Sequence, residues 1–166
     1  MSATQTSPHI KARDERFTSL QRTLVLIKPD AVQRGLVGQI VARFEARGIN
    51  LVGLKLLKMD AQRAAKLYEP HFGKGFYDSL VAYMTSGPIV ALCLEGAEAI
   101  SVVRKMMGAT NPSQAEPGTI RGDFAQRVDF NIVHGSDSPE NASRELPIFF
   151  NADEMISHDP SYTFFL

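Results

Sequence analysis

The stretch Asn131-Ile132-Val133-His134-Gly135-Ser136-Asp137 joins a strand to a helix and puts an imidazole at the junction. Upstream, residues 127–133 alternate polar and apolar over their first part, the pattern of a half-buried strand, and the strand is expected to stop at His134-Gly135. Downstream, Ser138 supplies an N-cap oxygen, Pro139 suits the first helical position and Glu140 is an early acid, so a helix starts there. Within that helix Ala142, Leu146 and Phe149 share the buried face, with Glu145 on its edge. A carboxylate buried alone is costly. Its nearest polar candidates are Ser136 and His134.

Working outward, residues 22–27 read as a strand stopped by Lys28-Pro29-Asp30, because proline cannot donate to a central ladder. Val37, Ile40, Val41 and Phe44 follow helical spacing, with Gly48 as the stop. Residues 49–59 are rich in strand formers, and Asp60 is placed to cap a helix over 61–69. A second helical piece over 76–84 leads to a strand over 89–94, after which Ile100, Val103 and Met107 mark another helix. Residues 109–124 carry prolines and glycines among few apolar side chains and read as a long loop, of the kind that is usually functional. With the helical pair over 61–84 set aside, the order is β-α-β-β-α-β. That predicts an α+β fold: a ferredoxin-like core of four antiparallel strands with helices over one face.

A chain of 166 residues fits one domain able to bury about two thirds of its unfolded surface. The single Cys93 excludes an internal disulfide and sits in an apolar run that suits a buried, inert thiol. No apolar run is long enough to cross a bilayer, and the first twenty residues contain no hydrophobic signal core, so a soluble cytoplasmic protein without membrane partners is expected. Eighteen basic residues balance eighteen acidic ones. A polyanion site must then come from local clustering, which favours a small phosphate ligand over nucleic acid.

Lys28, Arg104, Thr110 and Arg121 gather at element ends or in the long loop, and cations beside a histidine make a reasonable phosphate site. No P-loop spacing is present, and Gly73-Lys74-Gly75 lacks both the spacing and the preceding strand. The four histidines have no paired ligand spacing. A hydrolytic triad of His134, Ser136 and Asp137 is rejected, since residues so close in one turn do not stack in relay geometry. A non-catalytic nucleotide-binding scaffold is the remaining rival, and the joint presence of His134, Ser136 and Glu145 argues against it.

The histidine stretch resembles the active-site signature of nucleoside diphosphate kinases, Asn-x-x-His-Gly-Ser-Asp. Four further blocks resemble that family in its order: Lys28-Pro29-Asp30-Ala31-Val32-Gln33-Arg34-Gly35, Tyr83-Met84-Thr85-Ser86-Gly87-Pro88, Gly108-Ala109-Thr110-Asn111-Pro112 and Pro117-Gly118-Thr119-Ile120-Arg121-Gly122-Asp123. The resemblance implies that His134 takes the γ-phosphate of a nucleoside triphosphate and passes it to a nucleoside diphosphate, oriented by Glu145 with Ser136. It implies that Lys28, Arg104, Thr110 and Arg121 contact phosphates, that Asn131 and Lys28 face the sugar, and that Tyr68 lies near His134. The base is expected between Phe76 and Val128, a stack that tolerates every base. Mg²⁺ is expected to arrive on the phosphates with no direct protein ligand, Asp137 meeting it through water.

Three positions depart from the family pattern: Gly75 stands where many relatives have proline, Tyr77 where phenylalanine is common, and Ala109 where some carry glutamate. None touches His134. Residues 1–21 are polar, mixed in charge and largely without periodicity, and read as a flexible arm; the resemblance covers a kinase domain over 22–150 and is followed by a C-terminal tail over 151–166. The tail ends Tyr162-Thr163-Phe164-Phe165-Leu166, an apolar terminus suited to subunit contacts, and the resemblance implies a homo-oligomer, a hexamer in preference to a tetramer because a long tail resembles the hexameric members.

Overall fold

A computed structural model describes residues 20–158. Of the arm expected over 1–21, residues 1–19 lie outside the described residues, as does the apolar terminus, while Leu20 and Gln21 belong to the first strand, paired with Ala97 and Gly96. Four strands form one antiparallel sheet in the order β2-β3-β1-β4: β1 (Leu20–Ile27), β2 (Asn50–Lys58), β3 (Pro88–Ala97) and β4 (Val133–Gly135). This is the predicted split βαβ sheet, with β1 starting two residues earlier than expected.

The helices are α1 (Pro29–Gln33), α2 (Val37–Ala46), α3 (Ala61–Leu67), α4 (Tyr77–Thr85), α5 (Ala99–Met107), α6 (Ile120–Phe124) and α7 (Pro139–Phe149). Two caps anticipated from sequence are present. Asp60 accepts from the Arg63 amide at 2.7 Å, and Ser138 accepts from the Asn141 amide at 3.1 Å, each satisfying a donor that the first turn leaves unpaired.

The sheet is covered on both faces, not one. Val25 and Ile27 of β1 join Ile40 and Phe44 of α2 and Val103 and Met107 of α5, while Leu24 and Leu26 face Leu67, Met84, Leu146 and Phe149 of α3, α4 and α7. The reason lies in β1 and β3 themselves, whose runs Leu24-Val25-Leu26-Ile27 and Ile89-Val90-Ala91-Leu92-Cys93-Leu94 are apolar on alternate sides and need cover twice. The helical pair inserted between β2 and β3 supplies part of the second layer. Cys93 is buried there, and burial pushes its thiol up to about 11, the inert state expected of it.

Two further expectations change. The supposed strand over 127–133 is a tight turn closed by an isolated Arg127–Phe130 bridge, and β4 begins only at Val133. His134 therefore lies in the middle of β4, paired with Leu26, and not at a strand's end. The supposed loop over 109–124 contains a 3-10 turn (Pro112–Gln114) and α6, started by Pro112 and by the Thr119 side chain, which accepts from Gly122 at 3.0 Å. Close packing explains Gly122: a Cβ there would run into the Glu116 carbonyl.

Candidate active site

β4 and α7 meet so that His134 and Glu145 face each other. His134 Nε2 lies 3.0 Å from Glu145 Oε2, and the Ser136 hydroxyl donates to the same oxygen at 2.8 Å. Glu145 is buried, and burial, the strongest influence on its carboxyl, works to raise its pKa. The hydrogen bond and charge of His134, then Ser136 and Arg144, outweigh it and hold the group below the usual carboxylate range. An ionised carboxylate only accepts, so Nε2 carries the proton and the Nδ1 lone pair is left free. Gly135 completes the turn-out. A Cβ on it would meet Met107 Sδ at 2.6 Å.

Basic groups converge beside the imidazole. Lys28, at the junction of β1 and α1, is buried and donates to Asn131 Oδ1 at 2.6 Å. Burial, then the charge of Arg121, against the attraction of Asp30, pushes its ammonium down to about 8. Arg121 sits on α6, and its guanidinium donates to the carbonyls of Asn131 (3.2 Å), Gly108 (2.8 Å) and Val133 (2.7 Å). It is thus an internal strut as well as a charge, held at about 10 by burial and by Arg104. Arg104 is exposed and reaches the Gly135 carbonyl at 3.5 Å. Thr110 is exposed, and its carbonyl accepts from the Asn131 amide group at 2.9 Å. Asp137 is exposed too, with its pKa lowered first by a 2.6 Å hydrogen bond from Asn141. A cavity of about 540 Å³ opens next to Arg104 and Asp137 and extends toward Gln21 and Glu98, away from the imidazole.

A row of rings leads off from His134. Tyr68 stands edge-on to it at 6.3 Å, His71 lies 6.3 Å from Tyr68, and Phe76 lies 5.5 Å from His71. The Tyr68 hydroxyl is buried with no hydrogen-bond partner among the described residues, and its pKa is raised, first by burial and then by Glu145, so it remains a donor. Phe76 and Val128 are 50% and 54% exposed, far more than packing side chains would be. Lys28 and Arg121 are thus joined through Asn131, and Arg121 and Arg104 hold the carbonyls of Val133 and Gly135 on either side of His134, while Phe76 stands at the far end of the ring row. His71 was not singled out from the sequence, although its place three residues after Tyr68, beside Lys74, was a readable signal. Its pKa is lowered by burial first and then by Lys74, His134 and Arg144.

The turn before β4 is strained. Ile132 has φ of +72°, and the Val133 amide donates to the Asn131 carbonyl at 2.8 Å, closing a three-residue γ-turn. A β-branched residue there costs on the order of 1–3 kcal/mol.

An imidazole fixed in one tautomer by a buried carboxylate, with Arg121 and Arg104 on the carbonyls to either side of it, has the make-up of a phosphotransferase site on a split βαβ sheet. The family described as nucleoside diphosphate kinase matches residues 21–155. A nucleoside diphosphate kinase of Sulfurisphaera tokodaii is 53% identical over 139 residues, 84% of this chain and 95% of the relative. One of Thermomicrobium roseum is 54% identical over 140 residues, 84% of this chain and 94% of its own. Among solved structures, a Halobacterium salinarum nucleoside diphosphate kinase in complex with CDP superposes with a TM-score of 0.85 at 44% identity, covering 87% of this chain and 97% of its own. A Borrelia burgdorferi nucleoside-diphosphate kinase, a transition-state mimic with vanadate and ADP, gives 0.83 at 36% identity, covering 87% and 95%. The chain belongs to the nucleoside diphosphate kinase family and is an enzyme that moves phosphate between nucleotides.

Proposed function

We propose that the transfer runs through His134 by a ping-pong mechanism, serving nucleoside triphosphates and diphosphates of any base and so maintaining nucleoside triphosphate pools. The observation that carries this reading is the 3.0 Å contact of Nε2 with Glu145, which commits that nitrogen and leaves Nδ1 as the nucleophile. Nδ1 attacks the γ-phosphorus, the Nδ1–P bond forms as the bond to the bridging oxygen breaks, and the diphosphate leaves with that oxygen. Positive charge that develops on the ring is held at Nε2–H by Glu145, itself fixed by Ser136. A second nucleoside diphosphate then attacks the phosphohistidine in the reverse sense.

Lys28, Arg104 and Arg121 supply positive charge for the phosphates, with Thr110 and the Tyr68 hydroxyl as neutral donors. Asn131, oriented by Lys28, serves the sugar. Phe76 and Val128 take the base between apolar faces, which reads no base edge; the CDP and ADP complexes of the two relatives are in keeping with that tolerance. Mg²⁺ would come with the phosphates and neutralise charge there. Among the described residues no cluster of three or more His, Cys, Asp or Glu is placed to hold a metal. Asp137, held on one oxygen by Asn141 and ionised, fits an outer contact through water.

Residues 22–150 form the catalytic domain in this reading, and the chain works in the cytoplasm as a homo-oligomer, a hexamer in preference to a tetramer. Exposed Leu54 and Leu56 on edge strand β2, with Ile156 of the tail beside it, support an apolar contact between copies. The deciding experiment is incubation with γ-labelled ATP. Acid-labile, base-stable label on the wild type and none on His134→Ala is expected; label retained by the variant overturns the assignment. Light scattering at micromolar concentration tests the assembly, and a dimer or tetramer mass refutes the hexamer.

A further inference from the structure

We propose that Asp30, held by Tyr83, is a positioning residue for the phosphoryl transfer, acting through the γ-turn at Ile132. This rests on the His134 reading above. A β-branched residue at φ +72° keeps that conformation only while its surroundings over-determine it. The restraints can be named. The Ile132 side chain is fully buried in the core on the α2–α5 face, and its carbonyl accepts from the Lys28 amide at 2.8 Å. The carbonyls on either side, Asn131 and Val133, accept from Arg121. The remaining group is the Ile132 amide, which donates to Asp30 Oδ2 at 3.3 Å.

Asp30 is itself fixed. Its other oxygen accepts the Tyr83 hydroxyl, whose pKa is raised by burial and then by that bond, so the proton stays on the phenol. The Tyr83 ring stands edge-on to Phe130 at 5.0 Å, and Lys28 Nζ lies 5.9 Å over its face. The pair thus ties α1 and α4 to both flanks of the turn. Among the described residues, neither side chain bonds to His134. Their effect passes through the turn, because rotation about the Ile132 N–Cα bond moves Asn131 relative to Val133 and His134, and these are the groups that must meet sugar and phosphorus in register. Releasing the Ile132 amide leaves that rotation opposed by one restraint fewer.

Conservative exchanges separate this role from simple support of the fold. Asp30→Ala leaves the amide without its acceptor. Asp30→Asn keeps one oxygen that can turn to Ile132, with the Tyr83 hydroxyl now accepting from the new amide group. Tyr83→Phe keeps the ring on Phe130 and removes only the clamp. The measurement is the single-turnover rate of label transfer from saturating γ-labelled ATP to the full-length protein, with the concentration of folded protein taken from circular dichroism. At least a tenfold fall is expected for Asp30→Ala, three- to tenfold for Tyr83→Phe, and recovery to within about threefold of wild type for Asp30→Asn. Should Asp30→Ala not fold, Tyr83→Phe decides alone. Label on the wild type with an unchanged rate in the folded variants overturns the positioning role and leaves the phosphohistidine standing. No label on the wild type overturns the phosphohistidine, and this inference with it.

Discussion

Glu145 accepts from His134 and from Ser136 on one and the same oxygen, Oε2, at 3.0 and 2.8 Å, so a single atom orients the imidazole and is itself oriented. Glu145→Gln can keep an oxygen there but not the charge. A hydrogen bond to a charged group is worth about 1.5–3 kcal/mol, and 1.4 kcal/mol is tenfold in rate, so kcat should fall about ten- to hundredfold. KM should change less than about threefold, since the nucleotide is held elsewhere. Steady-state kinetics with ATP and a second diphosphate checks the split, and an unchanged kcat would reduce Glu145 to packing.

The same carboxyl makes an acid-limb prediction. Its folded pKa lies below the ordinary 4.5, so the stability it contributes is present above that value and is lost as pH falls through the depressed folded pKa. Glu145→Gln should therefore flatten stability against pH below about 4.5 relative to wild type. Denaturant titrations across that range check it; parallel curves would contradict the assignment.

Lys28 behaves in the opposite chemical sense. Its folded pKa of about 8 lies below the unfolded 10.5, so burying the ammonium charged opposes folding at neutral pH, and stability rises as pH climbs from about 8 to 10.5. A polyphosphate needs the charged form. Binding of ADP at pH 9 should take up close to one proton, and its Kd should rise up to about tenfold per unit above pH 8. Calorimetry in two buffers of different ionisation enthalpy measures the uptake. Lys28→Arg should remove it, and a wild-type protein that binds ADP at pH 9 without proton uptake would leave Lys28 out of the phosphate site.

Arg121 and Arg104 should fail differently. Arg121 spends its fork on three carbonyls, which a lysine ammonium cannot reproduce, so Arg121→Lys should cost about 2–4 kcal/mol of stability as well as turnover. Arg104 is exposed with one long bond, and Arg104→Lys should leave stability within about 0.5 kcal/mol while weakening nucleotide affinity. Urea unfolding without nucleotide separates them. Equal losses in the two variants would show that the strut is not one.

Much of this was readable in the sequence where local chemistry and the fold agree. Ser138 and Asp60 cap as their side chains suggest, and Glu145, an acid on the edge of an apolar helix face, has the partners that such burial demands. Where the two disagree, the sequence misleads. Val128 and Phe130 alternate with polar residues as strand residues do, but they are 54% and 43% exposed in a turn, where the Phe130 ring stands edge-on to Tyr83 instead of entering a strand of the core sheet. Pro29 reads as a strand stop and is also the first residue of α1. That helix puts Asp30 under Ile132, a relationship over a separation of 102 residues that no local pattern could disclose. The two-sided cover of the sheet is legible in the unbroken apolar runs of β1 and β3, which bury side chains on both faces where a half-exposed strand would alternate.

Phe76 offers the last test, because exposure separates its role from that of a core aromatic. Half of its surface is open, whereas Phe44 on α2 is buried to 1% exposure; deleting the Phe44 ring would leave a cavity, and deleting that of Phe76 leaves solvent. Phe76→Ala should therefore change stability by less than about 1 kcal/mol. Its effect should fall on binding. A base–ring stack is worth about 1–3 kcal/mol, so KM for the diphosphate acceptor should rise roughly five- to hundredfold. A ring face reads no hydrogen-bonding edge, and the penalty should be shared by ADP, GDP, CDP and UDP to within about threefold. The rate of His134 phosphorylation at saturating ATP should stay near wild type, since the ring stands at the far end of the Tyr68–His71 row from the nucleophile. Acceptor kinetics with the four diphosphates measure all of this in one series. A loss confined to one base would mean that the pocket reads an edge after all, and no loss for any base would remove Phe76 from the slot.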